Sequence, residues 1–238
     1  MAHVKFQESD WLAATTLPQV FTRQPDRAKD CRLKRLFAVA CIRPVMKRLP
    51  PAPRLQGVFD ATESFAEGSL TRTQVAQIRK TIKTAQRALG PVTNNRAEVN
   101  VGPVEEATYE ILRALDCATV PTLSLWLSAE FAQQAVAAFA RPAWRDACDR
   151  AALDHVALAR DIFGNPFRPV AFDPAWRCAD ATGIAARMYD SRDFSAMPVF
   201  ADALEEAGCT HPDILLHCRE PGVHVRGCWV VDLVLGKS

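Results

Sequence analysis

The sequence predicts an all-α protein: a compact multi-helix bundle with one extended Pro/aromatic segment at about 164–176. Three observations point there. The 238 residues hold 38 Ala against 10 Gly, and Ala is the strongest helix former. Apolar residues recur at the i, i+3, i+4 spacing of a buried helix stripe. The two-residue alternation of a half-buried strand is scarce, and Tyr occurs twice. Hydrophobic residues make up 49% and charged residues 24% of the chain, values that exclude a disordered chain and suffice for a sizeable core. No window nears the roughly 18 uninterrupted apolar residues of a membrane span. The polar start, Met1 to Asp10, lacks the apolar stretch of an export signal, so the expectation is a cytoplasmic protein without membrane attachment. Residues 1–238 read as one helical domain, with a sub-boundary at 91–103, and no 20–50-residue period recurs.

Each element has its own signal. Residues 10–22 read as two short helices separated by a Pro step, with Asp10 as N-cap and Trp11 and Leu12 as core anchors. Over 29–48, Leu33, Leu36, Phe37, Ala40 and Cys41 form a stripe, with Arg32, Lys34, Arg35, Arg43, Lys47 and Arg48 facing away; Pro44 kinks or ends this helix. Pro50, Pro51 and Pro53 stiffen a connector. Leu55, Val58, Phe59, Phe65 and Ala66 form the next stripe, closed by Gly68. Thr71 and Gln74 make a capping box for a helix through Val75, Ile78, Ile82, Ala85 and Leu89 that Gly90-Pro91 ends. After a loop at 91–103, a helix from Val104 to about Ala118 carries Glu105 and Glu106 in its first turn. An Ala-rich helix with Trp126, Phe131 and Phe139 spans 123–139, and a long one runs from Pro142 to Phe163, stopped by Gly164. Phe167, Phe172 and Trp176 anchor the extended segment across the body. Helices follow at about 180–190, 195–207 and 212–219, the last capped by Thr210. The apolar tail from Trp229 to Leu235 reads as a helix capped by Gly236, because it has no strand to pair with.

Charge is divided along the chain. Residues 1–96 carry 17 Lys/Arg against 7 Asp/Glu, and residues 97–238 carry 12 against 20. Mutual attraction of the two halves is the favoured reading, ahead of a polyanion-binding surface. The basic positions from Arg32 to Arg48 and from Arg72 to Arg87 lack helix-turn-helix, zinc-finger or RNA-binding signatures.

The candidate chemistry lies near the C-terminus. Without an export signal the eight cysteines do not read as a disulfide framework, and Cys31, Cys41, Cys117 and Cys148 fall in helical patterns as small hydrophobes. Cys209, His211, His217, Cys218, His224 and Cys228 crowd together, and thiolate and imidazole are zinc's preferred donors. The best set is Cys209, Cys218, His224 and Cys228, with His217 as the alternative to Cys218, since neighbours about 100° apart on a helix cannot both face one site. A thiol nucleophile at Cys218 is opposed by its place near a helix C-terminus. Asp154, His155 and Asp161 lack the spacing of a carboxylate–histidine dyad, and Glu106 and Glu110 read as charges near a helix start. Gly-rich nucleotide loops, the Gly-x-Ser-x-Gly elbow and His-Glu-x-x-His are missing, and no catalytic residue is assigned.

The stretches Asp161 to Val170, Asp173 to Trp176, Ala201 to Cys209, His217 to Arg219 and His224 to Lys237 resemble the signature blocks of a planctomycete-type bacterial protein family, as do Trp11-Leu12 and the helix from Arg32 to Cys41. About half the chain is covered; residues 50–145 are variable. The family has no assigned reaction, so the resemblance implies no catalytic role. It places Cys209, His217, Cys218, His224 and Cys228 inside signature blocks, and leaves His211 and Arg43-Pro44 outside them. The resulting expectation is a non-enzymatic interaction or scaffold module with a protein partner. The alternatives are a zinc-binding protein or a metal- or thiol-dependent enzyme built on the C-terminal cluster, and nucleic-acid binding through the basic half. The favoured expectation for the cluster is no cofactor, with its cysteines as buried hydrophobes and His224 as a hydrogen-bonded loop histidine; zinc is the alternative.

Overall fold

Asp30 opens the helix that organises the fold. Its side chain accepts from the Arg32 N–H, satisfying one of the free donors of a helix start, and α3 then runs Cys31–Met46 with Leu33, Leu36, Phe37 and Ile42 fully buried. The structure, a computed structural model, describes residues 6–22, 26–90, 102–120, 125–140 and 142–237. Among these are twelve α-helices and no strand, so the chain is all-α. Around α3 lie α1 (Glu8–Leu12), α2 (Leu17–Val20), α4 (Pro53–Ala66), α5 (Arg72–Leu89), α6 (Pro103–Thr119), α7 (Leu125–Ala137) and α8 (Trp144–Phe163). The C-terminal group is α9 (Ala179–Ser191), α10 (Met197–Glu206), α11 (Pro212–Arg219) and α12 (Trp229–Leu235). The tail is thus a helix, with Gly236 at its left-handed C-cap.

Two hydrophobic clusters result. The larger draws on α1 to α8, through residues such as Trp11, Phe37, Phe59, Ile82, Ile111 and Ile162. The smaller gathers Met188, Phe200, Leu204, Ile214 and Val230 from α9 to α12. The segment at 164–176 holds no α-helix: a turn closed by the Arg168 N–H on the Asn165 carbonyl is followed by extended chain and a 3-10 turn at Pro174–Trp176. It straps one cluster to the other: Phe167 packs on the larger and Phe172 and Trp176 on the smaller, these two rings edge to face at 5.3 Å.

The seam between the clusters is polar. Arg32 of α3 donates from Nη1 to Asp232 Oδ2 at 2.7 Å and from Nη2 to the Tyr189 hydroxyl at 2.6 Å. Glu63 of α4 receives Arg43 from its own side, and Arg192 and Arg226 from the C-terminal group. Glu67 receives Lys237 at 3.0 Å. Arg32 and Arg43, expected to face solvent, therefore point into the seam. The halves do attract, but in both directions: basic Arg32 meets acidic Asp232, while Glu63 and Glu67 of the basic half hold Arg192, Arg226 and Lys237. On α5, Lys83 and Arg79 reach Asp116 of α6, placing part of the basic face against the acidic half.

Other expectations shift locally. The first helix starts at Glu8, with Gln7 as N-cap and Asp10 as the third residue of a capping box; Trp11 is buried, but Leu12 is 55% exposed, since consecutive helical residues face different ways. Pro44 lies within α3, which ends two residues later. The N-cap of α11 is His211 rather than Thr210. Glu106 and Glu110 are buried, Glu110 beside Arg113 at 3.2 Å. Most of the loop at 91–103 and the side chain of Trp126 fall outside the described residues. No described helix is long and apolar enough to cross a membrane.

Removing one partner of a buried ion pair leaves an uncompensated charge. Arg32→Ala is expected to cost about 3–5 kcal/mol of unfolding free energy. Lys83→Ala, which removes an exposed cation, is expected to cost about 1 kcal/mol or less. Denaturant titrations of the two variants check the contrast.

Candidate metal centre

Four donors from three parts of the chain converge at the seam: Asp161, His217, His224 and Cys228, whose ligand atoms all lie within 4.8 Å of one another. Asp161 stands in the last turn of α8. Gly164 ends that helix with φ +69°, and a Cβ there would sit 3.6 Å from the Trp229 ring, so the chain turns closely past α12. His217 comes from the last turn of α11. Pro221 and Gly222 lead the chain back, and His224 and Val225 pass over α8. Gly227, at φ +94°, would set a Cβ 3.1 Å from Leu36 of α3; only glycine combines that backbone with that approach. Cys228 follows as the N-cap of α12.

His224 Nδ1 lies 2.7 Å and His217 Nε2 3.2 Å from the same Asp161 oxygen, Oδ1. The Cys228 Sγ is 3.2 Å from His217 Nε2 and 4.0 Å from His224 Nδ1. The other Asp161 oxygen, Oδ2, accepts the Val225 N–H at 3.0 Å. The two imidazoles meet at nearly right angles, 4.9 Å between centroids. Ligands on a tetrahedral zinc, with bonds of about 2.0–2.3 Å, stand about 3.3–3.6 Å apart. Four donors make six separations. Of the four given above, three lie within about 0.5 Å of that range, and the full group spans up to 4.8 Å. The shortest is a carboxylate–imidazole hydrogen bond, which a cation would replace.

Electrostatics follow the packing. Burial raises the Asp161 pKa, but hydrogen bonds from His217 and His224 outweigh it and hold the carboxyl below its ordinary value. Burial and then the charge of Asp161 push the Cys228 thiol well up, while the N–H groups of Val231 and Val230 oppose them. A bound cation reverses the balance at a thiol, because it stabilises the thiolate directly.

The arrangement is unsuited to a Cys–His–Asp triad. In a triad the nucleophile and the carboxylate use opposite nitrogens of one imidazole. Here the Cys228 Sγ and the Asp161 Oδ1 both lie against Nε2 of His217, and Cys228 is fully buried.

The set expected from spacing and the set gathered by geometry share His224 and Cys228. His217 takes the place of Cys218, as the two neighbours diverge around α11. Cys209 and Cys218 lie outside the group as buried members of the smaller cluster, burial pushing both thiols up. Asp161 completes the set. Its sequence signal was a carboxylate in the last turn of a helix, where the dipole disfavours it, on the face shared with Leu158 and Ile162. Nothing in the sequence ties it to residues more than fifty positions later. His155 is buried while its neighbour Asp154 is exposed, so the two form no dyad. No family model, curated protein or solved structure matches the chain.

His155 gives a pH-dependent test. Burial lowers its pKa from 6.5 to about 4, against a raising hydrogen bond at Cys41. The unfolded chain therefore binds the extra proton between those values, and stability rises with pH through that window. Lowering the pH from 6.5 towards 4 is expected to remove about 3 kcal/mol through this group. In His155→Leu, unfolding free energies measured across the window lose that part of the slope.

Proposed function

We propose that the chain is a zinc-binding protein in which Asp161, His217, His224 and Cys228 hold one ion as a structural clamp within a non-enzymatic helical scaffold. One observation supports this above the rest: two imidazoles direct one nitrogen each at a point shared by a carboxylate oxygen and a thiol sulfur. Hydrogen bonding alone does not require that convergence, since the His217 nitrogen faces two groups that compete for it. Two nitrogens, a sulfur and a carboxylate oxygen form a borderline-soft, four-coordinate donor set suited to zinc. Four protein donors leave no position for substrate, which favours a structural over a catalytic role. When bound, the ion supplies the positive charge that keeps Cys228 as thiolate. The chain's own residues do the positioning: Val225 N–H holds Asp161 Oδ2 and so orients Oδ1, and Gly164 and Gly227 let α12 approach α8 and α3.

The test is elemental analysis of purified protein together with melting curves before and after a chelator. About one zinc per chain is expected, and its removal lowers Tm by about 10 °C. Cys228→Ser and Asp161→Asn lose the ion; Cys209→Ser and Cys218→Ser retain it. Metal-free protein that takes up no added zinc, or an ion held by Cys228→Ser and lost from Cys218→Ser, would overturn the assignment.

A further inference from the structure

Residues 223–226 also line a cavity of about 450 Å³, within the size range of small-molecule sites. Its floor is apolar, formed by Leu36, Val39 and Ala40 of α3, Leu158 of α8 and Phe194. Its rim is cationic. Arg43, Lys47, Arg192 and Arg226 line it against two carboxylates, Glu63 and Asp154. Three of those cations share one partner: Arg43 donates to Glu63 Oε1, while Arg192 and Arg226 both donate to Oε2, the latter at 3.4 Å. Four cations face two carboxylates, Glu63 and Asp154, and Asp60 also acts on Arg192, so net positive charge is left at the cavity. Arg43 registers it. Burial pushes its pKa down, Glu63 pulls it up, and the nearby Arg192 and Arg226 push it down again.

Two further features mark the place. Arg192 reaches Glu63 from the left-handed C-cap of α9, at φ 60°, the one non-glycine residue with positive φ among the described residues; such backbone strain gathers at functional sites. His224 is part of the wall, and its Nε2 has no hydrogen-bond partner although the side chain is only 8% exposed.

We propose that this cavity binds an organic oxyanion, a carboxylate or phosphate carried on a small apolar body. The anionic group meets the guanidiniums that Glu63 leaves under-neutralised, and the apolar body lies on α3 and Phe194. Guanidinium suits either headgroup, because its planar donors match oxyanion geometry. The inference is independent of bound zinc: the charge excess and the apolar floor lie outside the four metal donors, except for His224 in the wall.

Calorimetric titration of the full chain with benzoate and with phenyl phosphate tests it, with benzamide and phenol as the uncharged counterparts. The expected result is saturable one-to-one binding of at least one anion, with Kd on the order of 1 mM or tighter, and at least tenfold weaker binding of its uncharged counterpart. Arg192→Gln and Lys47→Gln each weaken the anion about tenfold or more, while Arg72→Gln, on α5, leaves it unchanged. Lys47 is exposed and makes no Glu63 contact, so its variant serves even if Arg192→Gln fails to fold. Absence of saturable binding by both anions, equal binding of the uncharged compounds, or unchanged affinity in Lys47→Gln overturns the proposal. Titrations before and after chelation separate this proposal from the metal assignment: anion binding by a chain that takes up no zinc leaves the cavity standing and removes the clamp.

Discussion

Three buried carboxylates hold the two hydrophobic clusters in one arrangement. Glu63, Asp161 and Asp232 are each 3% exposed or less, and a carboxylate taken out of water must be compensated by protons, cations or N–H donors. In every case compensation comes across the seam. Asp232 of α12 is met by Arg32 of α3, Glu63 of α4 by Arg192 and Arg226, and Asp161 of α8 by His217, His224 and the Val225 N–H. Apolar surfaces alone would let the clusters slide, since hydrophobic contact has little direction. Charge pairs with defined hydrogen-bond geometry fix the register. Two of the three carboxylates come from helices of the larger cluster and one from the smaller, so the pairing also distinguishes the two faces.

The Asp161 station differs from the others in the strength of its partners. Glu63 and Asp232 meet guanidiniums, which stay charged throughout the physiological range. Asp161 meets imidazoles, whose ordinary pKa lies near neutrality, and a thiol that prefers to be neutral where it is buried. A divalent cation at that point would bring the local charge into balance, with one carboxylate and one thiolate offsetting it and two neutral imidazoles completing the shell. Its effect would be to tie α8, α11 and α12 beside Gly227, whose positive φ and tight approach to Leu36 of α3 favour glycine.

Much of the architecture was legible because it depends on local chemistry. The Thr71 capping box, the glycine stops at Gly90 and Gly164, and the stripe through Leu33, Phe37 and Cys41 are written within a few residues of where they act. The tail helix could be separated from a strand by the lack of a pairing partner, and the Pro-aromatic strap by prolines that forbid helix beside aromatics that require burial. The seam was not legible, because its pairs are set by tertiary contact. Arg32 and Arg43 look like solvent-facing members of an amphipathic helix, and only the approach of Asp232 and Glu63 turns them inward. The donor cluster lay between these extremes. His217, His224 and Cys228 are close in sequence and could be grouped. Asp161 could be noticed as a misplaced acid, but its partners could not be named, and thiol chemistry alone gave no reason to set Cys209 and Cys218 aside.

The separation of these partners along the chain constrains the order in which the protein is completed. Arg32 and Asp232 are 200 residues apart, and contacts of such span form slowly because the intervening chain must first be closed into a loop. During synthesis, α3 to α8 emerge with Arg32, Glu63 and Asp161 all lacking their cross-seam partners. The larger hydrophobic cluster can gather at that stage, but its seam face holds charges that water must continue to solvate. Only when the segment from His217 to Lys237 has been made can that water be expelled. The segment from His217 to Lys237 is thus the closing piece of a face whose other side is laid down up to 200 residues earlier, and a ribosome that stalls before this segment leaves an assembled but open core.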